Sequence, residues 1–252
     1  FIKDFKNTCG TGFCNSSLLL HKGKLLMNLR HVEYTLFHCE GDQKFQTIHQ
    51  GPLSYYHRDD DINLRTNNYL CELDKETLEI IEWTKIDTTE LDVSPKWTFI
   101  GLEDGRLIDW NDKLYLCGVR RDTTTNGEGR MELSEIVEGR EVSRHRIEPP
   151  SQGSYCEKNW MPILDKPFHF VKWTNPTEVV AVDLDTLSSR TVHIGKQLPG
   201  FKFDLRGGTP LIRWTDDSYM AIVHECAFIP ENHLGFKDSV YKHRFLVWDN
   251  KF

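Results

Sequence analysis

Short apolar runs that alternate with turn-forming residues along the whole chain are the feature that most constrains its fold. Runs such as RLIDW, KLYLCGV and EVVAVDL stand between turn sequences such as WNDK and TNGEG. Short runs bounded by Gly, Asn and Asp are typical of β-strands joined by hairpins, whereas an amphipathic helix requires a longer stretch with a 3.6-residue period. The sequence therefore predicts an all-β protein.

A looser repeat lies above the level of single strands. Each unit has a polar cluster, an apolar strand, a turn and a second apolar strand, and the units begin near Asn15, Asn68, Glu103, Lys158 and Arg206. Spacings of about 35–55 residues are typical of one four-stranded propeller blade. We therefore predict a five-bladed β-propeller that occupies residues 1–252 as a single domain. A β-sandwich whose hairpins are similar by chance is the alternative.

The two ends of the sequence suggest a segment excised from, or truncated relative to, a longer protein. The chain starts at Phe1 without an initiator Met, and it ends directly after the strand-like FLVWD. The last unit, from Arg206 to Phe252, shows three clear strands. We therefore expect an incomplete last blade, or a fourth strand that the N-terminal FIKDF segment supplies.

Charge and composition exclude some partners. The formal net charge of -7 offers no basic surface for nucleic acid or anionic lipid. The apolar runs are far shorter than the roughly 20 residues that a membrane span requires. Aromatic residues make up 12% of the chain, which suits packed sheets and surfaces that stack on sugars. We therefore predict neither nucleic acid nor membrane as a partner.

The seven cysteines are scattered without a CxxC pair, and several lie inside apolar strand patterns such as LYLCGV. Such placement is typical of buried, reduced thiols. We therefore predict a cytoplasmic protein in which none of these cysteines forms a disulfide.

The clearest candidate for chemistry is the segment from Glu103 to Arg106, which opens an apolar strand. In a regular strand Asp104 and Arg106 point to the same face, so the guanidinium can orient the carboxylate. A carboxyl in such a cleft can serve as the general acid for a glycosidic oxygen. The alternative is an acidic turn closed by a surface ion pair.

A second polar cluster, from Glu157 to Trp160, precedes the apolar strand at Met161. Lys158 and Asn159 beside a tryptophan form a plausible contact for sugar or phosphate, with the indole of Trp160 stacking and the ammonium supplying charge. The alternative is that Trp160 belongs to the core and that Lys158 is solvated.

Further polar groups open or close strands of the other units. Arg206 precedes a Gly-Gly turn that permits close approach of a ligand, and its partner strand ends in His224 and Glu225, which could bring a second carboxylate. The remaining candidates for substrate binding are Asn15, Arg30, Tyr241, His243 and Arg244.

No motif indicates a metal or an organic cofactor. The histidines lack partners at zinc-ligand spacing, and there is no phosphate loop, nucleophile elbow or dinucleotide fingerprint. The run Asp59-Asp60-Asp61 could bind a divalent cation but is more typical of a solvated loop. We therefore predict no metal and no cofactor.

Taken in order, these motifs resemble the five-bladed propeller enzymes of the mannoside phosphorylase family with their β-mannosidase and β-1,2-mannosyltransferase relatives. They resemble more closely the related propeller modules that are often joined to glycosyltransferases. The family's Glu-Asp-Pro-Arg motif, whose aspartate is the general acid, is similar to Glu103–Arg106 with glycine in place of proline. The resemblance further assigns Lys158 to phosphate, and Asn15 and Arg30 to sugar. Glu225 stands where the family has glycine.

The resemblance implies an inverting glycoside phosphorylase, hydrolase or transferase that acts on mannoside-like glycans, with Asp104 as the general acid. For phosphorolysis, inorganic phosphate would be the co-substrate, and Lys158, Arg206 and His243 or Arg244 would neutralise it. For hydrolysis, Glu225 or Glu157 would activate water. The alternative function is a non-catalytic glycan-binding or accessory module, fused to or associated with a glycosyltransferase domain.

Overall fold

The computed structural model describes residues 12–36, 55–57, 61–151, 153–199, 205–229 and 238–252. Within these ranges every helix or strand assigned is a β-strand, as the short alternating runs predict. No helix that could span a membrane occurs in the same ranges.

Four antiparallel sheets follow one another along the described chain and form the blades. Blade 1 contains, in this order, β1 (Gly12–His21), β2 (Lys24–Val32), β5 (Leu64–Leu73) and β6 (Ile80–Lys85). A short strand, β7 (Phe99–Ile100), runs parallel to β5. A separate hairpin is formed by β3 (Tyr34–Leu36) and β4 (Tyr55–His57). Blade 2 contains β8 (Leu102–Trp110), β9 (Lys113–Arg120), β10 (Arg130–Val137) and β11 (Arg140–Arg146). This arrangement confirms the prediction of an all-β propeller.

Blade 3 follows the same plan, whereas blade 4 is three strands wide among the described residues, because two short strands share its inner position. Blade 3 contains β12 (Met161–Pro162), β13 (His169–Thr174), β14 (Thr177–Asp183) and β15 (Ser188–Ile194). Blade 4 contains β16 (Arg206–Gly207), β17 (Ile212–Thr215), β18 (Ser218–Ile229) and β19 (Asp238–Asp249), of which β16 and β17 pair in succession with β18. The inner strand of blade 4 is therefore split in two.

The described residues build four blades rather than the predicted five. The unit near Asn68 is not a separate blade, because β5 pairs with β2 from Leu25↔Leu73 to Val32↔Thr66 and is the third strand of blade 1. The hairpin of β3 and β4 lengthens the connection between these strands, so their separation imitates the spacing of a new blade. The FIKDF segment, proposed as a fourth strand for the last blade, lies outside the described residues.

Apolar clusters between successive blades hold the fold together. Along β8 the side chains alternate, so Leu107 packs toward blade 1 while Ile108 and Trp110 pack toward blade 3. Trp110 contacts the rings of Phe168 and Phe170, and its indole Nε1 donates to the Ile163 carbonyl at 3.1 Å. Burying a side chain of this size stabilises the fold by roughly 2–3 kcal/mol.

The outward faces of the first and last blades remain open among the described residues. Leu18 and Leu20 on β1 and Phe245 on β19 are more than half exposed. Trp214 lies next to the last residue of β17, at the repeat position that Trp110 occupies at the end of β8, yet Trp214 is 59% exposed and Trp110 only 1%. The same position of the repeat is therefore buried inside the array of blades and exposed at its end.

The cysteines agree with the sequence prediction as far as the description extends. Cys14, Cys71, Cys117, Cys156 and Cys226 are all free thiols, whereas the two remaining cysteines, at positions 9 and 39, lie outside the described residues. Burial raises the pKa of Cys117 to about 12, which suits an inert packing residue.

Candidate functional site

The inner edge of the blades carries a repeated backbone irregularity. Asn15, Asp104 and Asn159 all adopt positive φ, at 48°, 54° and 65°. The first two lie at register breaks in the pairing of β1 with β2 and of β8 with β9, and Asn159 lies two residues before β12. Asn and Asp tolerate this left-handed conformation better than other residues with a Cβ atom, and a bulge re-aims a side chain. All three side chains therefore reach one cavity.

This axial cavity has a volume of about 1050 Å³. Its polar lining includes Asn15, Asp104, Arg106, Lys158, Asn159, His224, Tyr241 and His243. Its apolar lining includes Leu18, Leu164, Ile212, Met220 and Phe245, so the cavity extends onto the open faces of blades 1 and 4. Arg206 lies beside the cavity, because its backbone pairs with His224. The structure thus brings together most of the residues that the sequence analysis assigned to the site.

Two hydrogen bonds hold the Asp104 side chain in the cavity. Its Oδ1 accepts a hydrogen bond from Arg30 Nη1 at 2.6 Å and another from the Asn15 amide. Burial tends to raise the pKa of this carboxyl, but Arg30 and the hydrogen bond from Asn15 outweigh it. The pKa of Asp104 is therefore held below its ordinary value, and the group is ionised at neutral pH.

Arg30, not Arg106, is the cation that orients Asp104. The sequence analysis placed Arg106 on the same strand face as the aspartate, but the register break between Glu103 and Arg106 removes the simple alternation. Arg106 is buried, and its guanidinium donates to the carbonyls of Trp160, Gly207 and Gly208 at 2.8–3.1 Å. Its main visible role is to link blade 2 with blades 3 and 4.

Close packing explains the glycine at position 207. A Cβ atom at Gly207 would lie 2.1 Å from the Asn159 carbonyl oxygen and 2.4 Å from Met161. Only glycine lets β16 approach the start of blade 3 so closely. The Gly-Gly turn thus serves contact between blades, beside the ligand approach that the sequence analysis proposed.

A basic face lies in the same cavity as Asp104. We define it as Lys158, His224 and His243, with Arg206 beside them. The imidazole of His224 lies 6.4 Å from that of His243 and 5.7 Å from the ring of Tyr241. Burial lowers the pKa of His224, and the surrounding cationic groups lower it further. These groups repel additional positive charge, and an anion bound here would reduce that repulsion.

Two of the predicted catalytic carboxylates do not line the cavity. Glu157 Oε2 accepts a hydrogen bond from the Trp160 indole at 2.9 Å, and its Oε1 lies 3.6 Å from the Lys172 ammonium. Glu225 pairs with Arg244 at 2.8 Å, and the alternation of β18 turns it to the face opposite His224. Among the described residues that line the cavity, Asp104 is the single carboxylate.

Trp160 and Arg244 are likewise absent from the lining. Trp160 is 1% exposed and belongs to the core between blades 2 and 3, so its indole offers no surface for stacking on a sugar. This is the alternative that the sequence analysis left open. Tyr241 and Phe245, both exposed on β19, are the aromatic side chains that do line the cavity.

Sequence reasoning missed the residues that support Arg30. Its Nη2 donates to the hydroxyls of Tyr34 and Thr66, at 2.9 and 3.2 Å. These residues lie on β3 and β5 and come together only through the folding of blade 1. The sequence does carry a signal for the site itself. An Asn or Asp stands at the polar opening of three inner strands, at Asn15, Asp104 and Asn159.

No metal site is apparent in the parts of the chain that the structure describes. No three His, Cys, Asp or Glu side chains there come together in a way that could hold an ion. Asp61 accepts hydrogen bonds from Asn63 and Arg65. Asp59 and Asp60 lie outside the described residues.

No protein-family model and no curated protein matches the chain. Solved structures do. A mannose phosphorylase from Leishmania mexicana in complex with phosphate ion superposes with a TM-score of 0.53 at 14% identity, over 97% of this chain and 66% of the other. A GDP-Man-dependent mannosyltransferase from Leishmania mexicana gives 0.54 at 14% identity, over 96% and 67%. An alpha-L-arabinofuranosidase from Lactobacillus brevis gives 0.52 at 11% identity, over 92% and 72%.

The chain has a β-propeller fold. At these identities the likeness shows the fold alone, and it agrees with the blades described above. The propeller spans 66% of the length of the mannose phosphorylase that it matches.

Proposed function

We propose that this propeller moves a glycosyl group between phosphate and a sugar hydroxyl, with inversion and with mannoside-like substrates. The observation that carries the proposal is the ionised carboxylate of Asp104, the one carboxylate among the described lining residues, in a cavity that also holds the basic face. The solved propellers of similar fold are named as enzymes of carbohydrate chemistry, and one of them is in complex with phosphate ion. These names favour a carbohydrate-active role and a glycan partner for this chain.

The absence of a second carboxylate from the described lining favours phosphate over water as the nucleophile. An inverting hydrolase needs a general base about 6.5–9.5 Å from its general acid to activate water. Glu157 and Glu225 are engaged in ion pairs outside the cavity. Phosphate is itself a nucleophile and requires only cations to hold it, and the basic face supplies these.

An ionised Asp104 suits the direction of transfer to a sugar hydroxyl. Asp104 accepts the hydroxyl proton of the acceptor while the acceptor oxygen forms a bond to C1 of the sugar phosphate. The bond from C1 to the phosphate oxygen breaks, and its electron pair leaves with phosphate. Lys158 and Arg206 stabilise the charge on the departing group. In the reverse direction, protonated Asp104 returns its proton to the glycosidic oxygen and is the general acid that the resemblance implies.

A non-catalytic glycan-binding module is the second candidate, and the fixation of Asp104 favours it. A carboxylate held ionised by Arg30 and Asn15 is a good acceptor for sugar hydroxyls even where no bond is broken. Association with a glycosyltransferase domain belongs to this second proposal.

The substitution Asp104→Asn tests the proposal, because it removes the proton acceptor and keeps a side chain that tolerates positive φ. We expect phosphate release from α-mannose 1-phosphate with mannose as acceptor to fall by about 10²–10⁴-fold. Stability should fall by about 1–3 kcal/mol, since Arg30 loses its shortest charged contact. Turnover is therefore measured well below the melting temperature.

Asp109→Asn is the matched control, because Asp109 lies on the same strand and pairs with His21 outside the cavity lining. We expect its turnover to equal that of the unmutated chain. Equal turnover in Asp104→Asn would contradict the role of Asp104. Retained mannose binding without turnover in the unmutated chain would favour the binding module.

A further inference from the structure

Two adjacent carboxyl groups compete for one buried guanidinium. Arg30 is 5% exposed, and its Nη1 lies 2.6 Å from Asp104 Oδ1. The nearest contact of Glu103 with the same guanidinium is longer, at 3.4 Å between Nη2 and Oε2. The remaining contacts of Nη2 are the hydroxyls of Tyr34 and Thr66. The charge of Arg30 is therefore directed to Asp104.

The surroundings of Glu103 do not suit an ionised carboxylate. Its Oε1 is buried and has no hydrogen-bond partner among the described residues. Its side chain is 17% exposed, and within the described part of the chain its other oxygen has one polar contact, the long one with Arg30. A buried carboxylate normally has its oxygens satisfied by several donors, whereas a neutral carboxyl tolerates such surroundings at a much lower free-energy cost.

We propose that Glu103 is a neutral carboxylic acid that shares Arg30 with ionised Asp104, and that it acts as a positioning residue for that carboxylate. In this form Glu103 completes the packing around Arg30 and leaves its charge to Asp104. The proposal rests on the proposed function only for what Asp104 does in the cavity. The protonation states themselves are independent of any reaction.

The charged groups around Glu103 agree with this assignment. Burial raises the pKa of Glu103, and the negative charge of Asp104 raises it further. The positive charge of Arg30 lowers this pKa but does not outweigh the other two effects. Arg121 and Lys158 also face it and act with Arg30 to lower this pKa. Burial raises the pKa of each of the other titratable neighbours, Cys14, Tyr34 and Cys156, so these groups are neutral at pH 7.

The two carboxyls should therefore affect stability with opposite signs. A group whose pKa is raised by folding loses its stabilising effect as the pH rises from its unfolded pKa toward its folded pKa, because the unfolded chain releases the proton first. This is the case for Glu103. Asp104, whose pKa is lowered, stabilises the fold above its unfolded pKa of about 4 and loses that effect in acid.

Melting temperatures of Glu103→Gln between pH 4 and pH 9 test the proposal. Glutamine has the shape of a neutral glutamic acid, so we expect a melting temperature within about 2 °C of the unmutated chain near pH 4. The variant should become the more stable of the two as the pH rises. A melting temperature lower by more than about 5 °C at pH 7, or failure to fold there, would show an ion-paired Glu103 and overturn the proposal.

Glu141→Gln is the matched control for a buried glutamate that is ion-paired. Both oxygens of Glu141 are engaged, by Arg144 at 2.5 and 3.1 Å and by the Ser134 hydroxyl at 2.5 Å. We expect this variant to lose stability at neutral pH. The comparison requires no substrate, so its outcome is separate from that of the proposed function.

Sulfate affinity provides the second measurement, because sulfate stays a dianion throughout this pH range. In the unmutated chain, ionisation of Glu103 at rising pH adds negative charge beside Lys158, and sulfate binding should weaken more steeply than in Glu103→Gln. Both proteins share the groups of the basic face, so the difference between their pH dependences reports Glu103. Equal pH dependence in the two proteins would count against the proposal.

Discussion

At the scale of single residues, the site depends on side chains placed by an unfavourable backbone conformation. Asn15, Asp104 and Asn159 share positive φ at the inner edge of three successive blades. A non-glycine residue persists there when the surrounding contacts hold it. The hydrogen bond from Asn15 to Asp104 is one such contact, and it links the bulge of blade 1 with that of blade 2.

The pair Asn15→Ala and Asn15→Gly separates the conformational cost from the lost hydrogen bond. Both variants lose the amide that donates to Asp104, but glycine adopts positive φ without strain. We expect Asn15→Ala to be less stable than Asn15→Gly by about 1–2 kcal/mol in denaturant unfolding. Equal stabilities would mean that the strand opening relaxes and that the left-handed conformation is not needed.

At the scale of strands and blades, packing between sheets explains what the sequence pattern predicted and what it did not. Alternating apolar runs depend on local residues, and they correctly predicted strands such as β8 and β9. The membership of β5 in blade 1 depends on pairing across the hairpin of β3 and β4, so spacing alone misassigned it. The prediction that Arg106 orients Asp104 was wrong for a related reason, because a bulge between Glu103 and Arg106 interrupts the strand periodicity.

The same limit applies to the composition of the site. Asn15, Asp104 and Lys158 were predictable because each opens a repeat unit, and equivalent positions of a propeller converge on its axis. The burial of Trp160 and the turning of Glu225 away from the cavity depend on which face of a sheet meets a neighbour. Single-strand patterns carry too little information to decide that.

Two tryptophans at the same position of the repeat provide a test at this scale. Trp110 is buried against Phe168 and Phe170, so Trp110→Ala should cost about 3–5 kcal/mol of unfolding free energy. Trp214 is 59% exposed at the open face of blade 4, so Trp214→Ala should change the unfolding free energy by no more than about 0.5 kcal/mol. Urea unfolding of both variants checks this. A large loss in Trp214→Ala would mean that the open face is covered in solution.

At the scale of the whole molecule, the distribution of charge is more informative than its sum. The chain carries a formal net charge of -7, yet among the described residues that line the cavity Asp104 is the one carboxylate, whereas Arg106 and Lys158 line it and Arg206 lies beside it. Such a cavity attracts anions although the protein as a whole repels them. The proposed substrate, a sugar phosphate, matches both parts of this cavity. Its hydroxyls would bind Asp104 and Asn15, and its phosphate would bind the basic face.

Calorimetric titration of the unmutated chain, Lys158→Gln and Lys113→Gln with α-mannose 1-phosphate tests this account most directly. Lys158 lines the cavity, whereas Lys113 pairs with Glu135 in an exposed salt bridge. Loss of one charged contact to phosphate should weaken binding about 10–100-fold in Lys158→Gln. Lys113→Gln should bind like the unmutated chain. Absence of binding to the unmutated chain, or equal affinity in all three proteins, would contradict a sugar-phosphate site on the propeller axis.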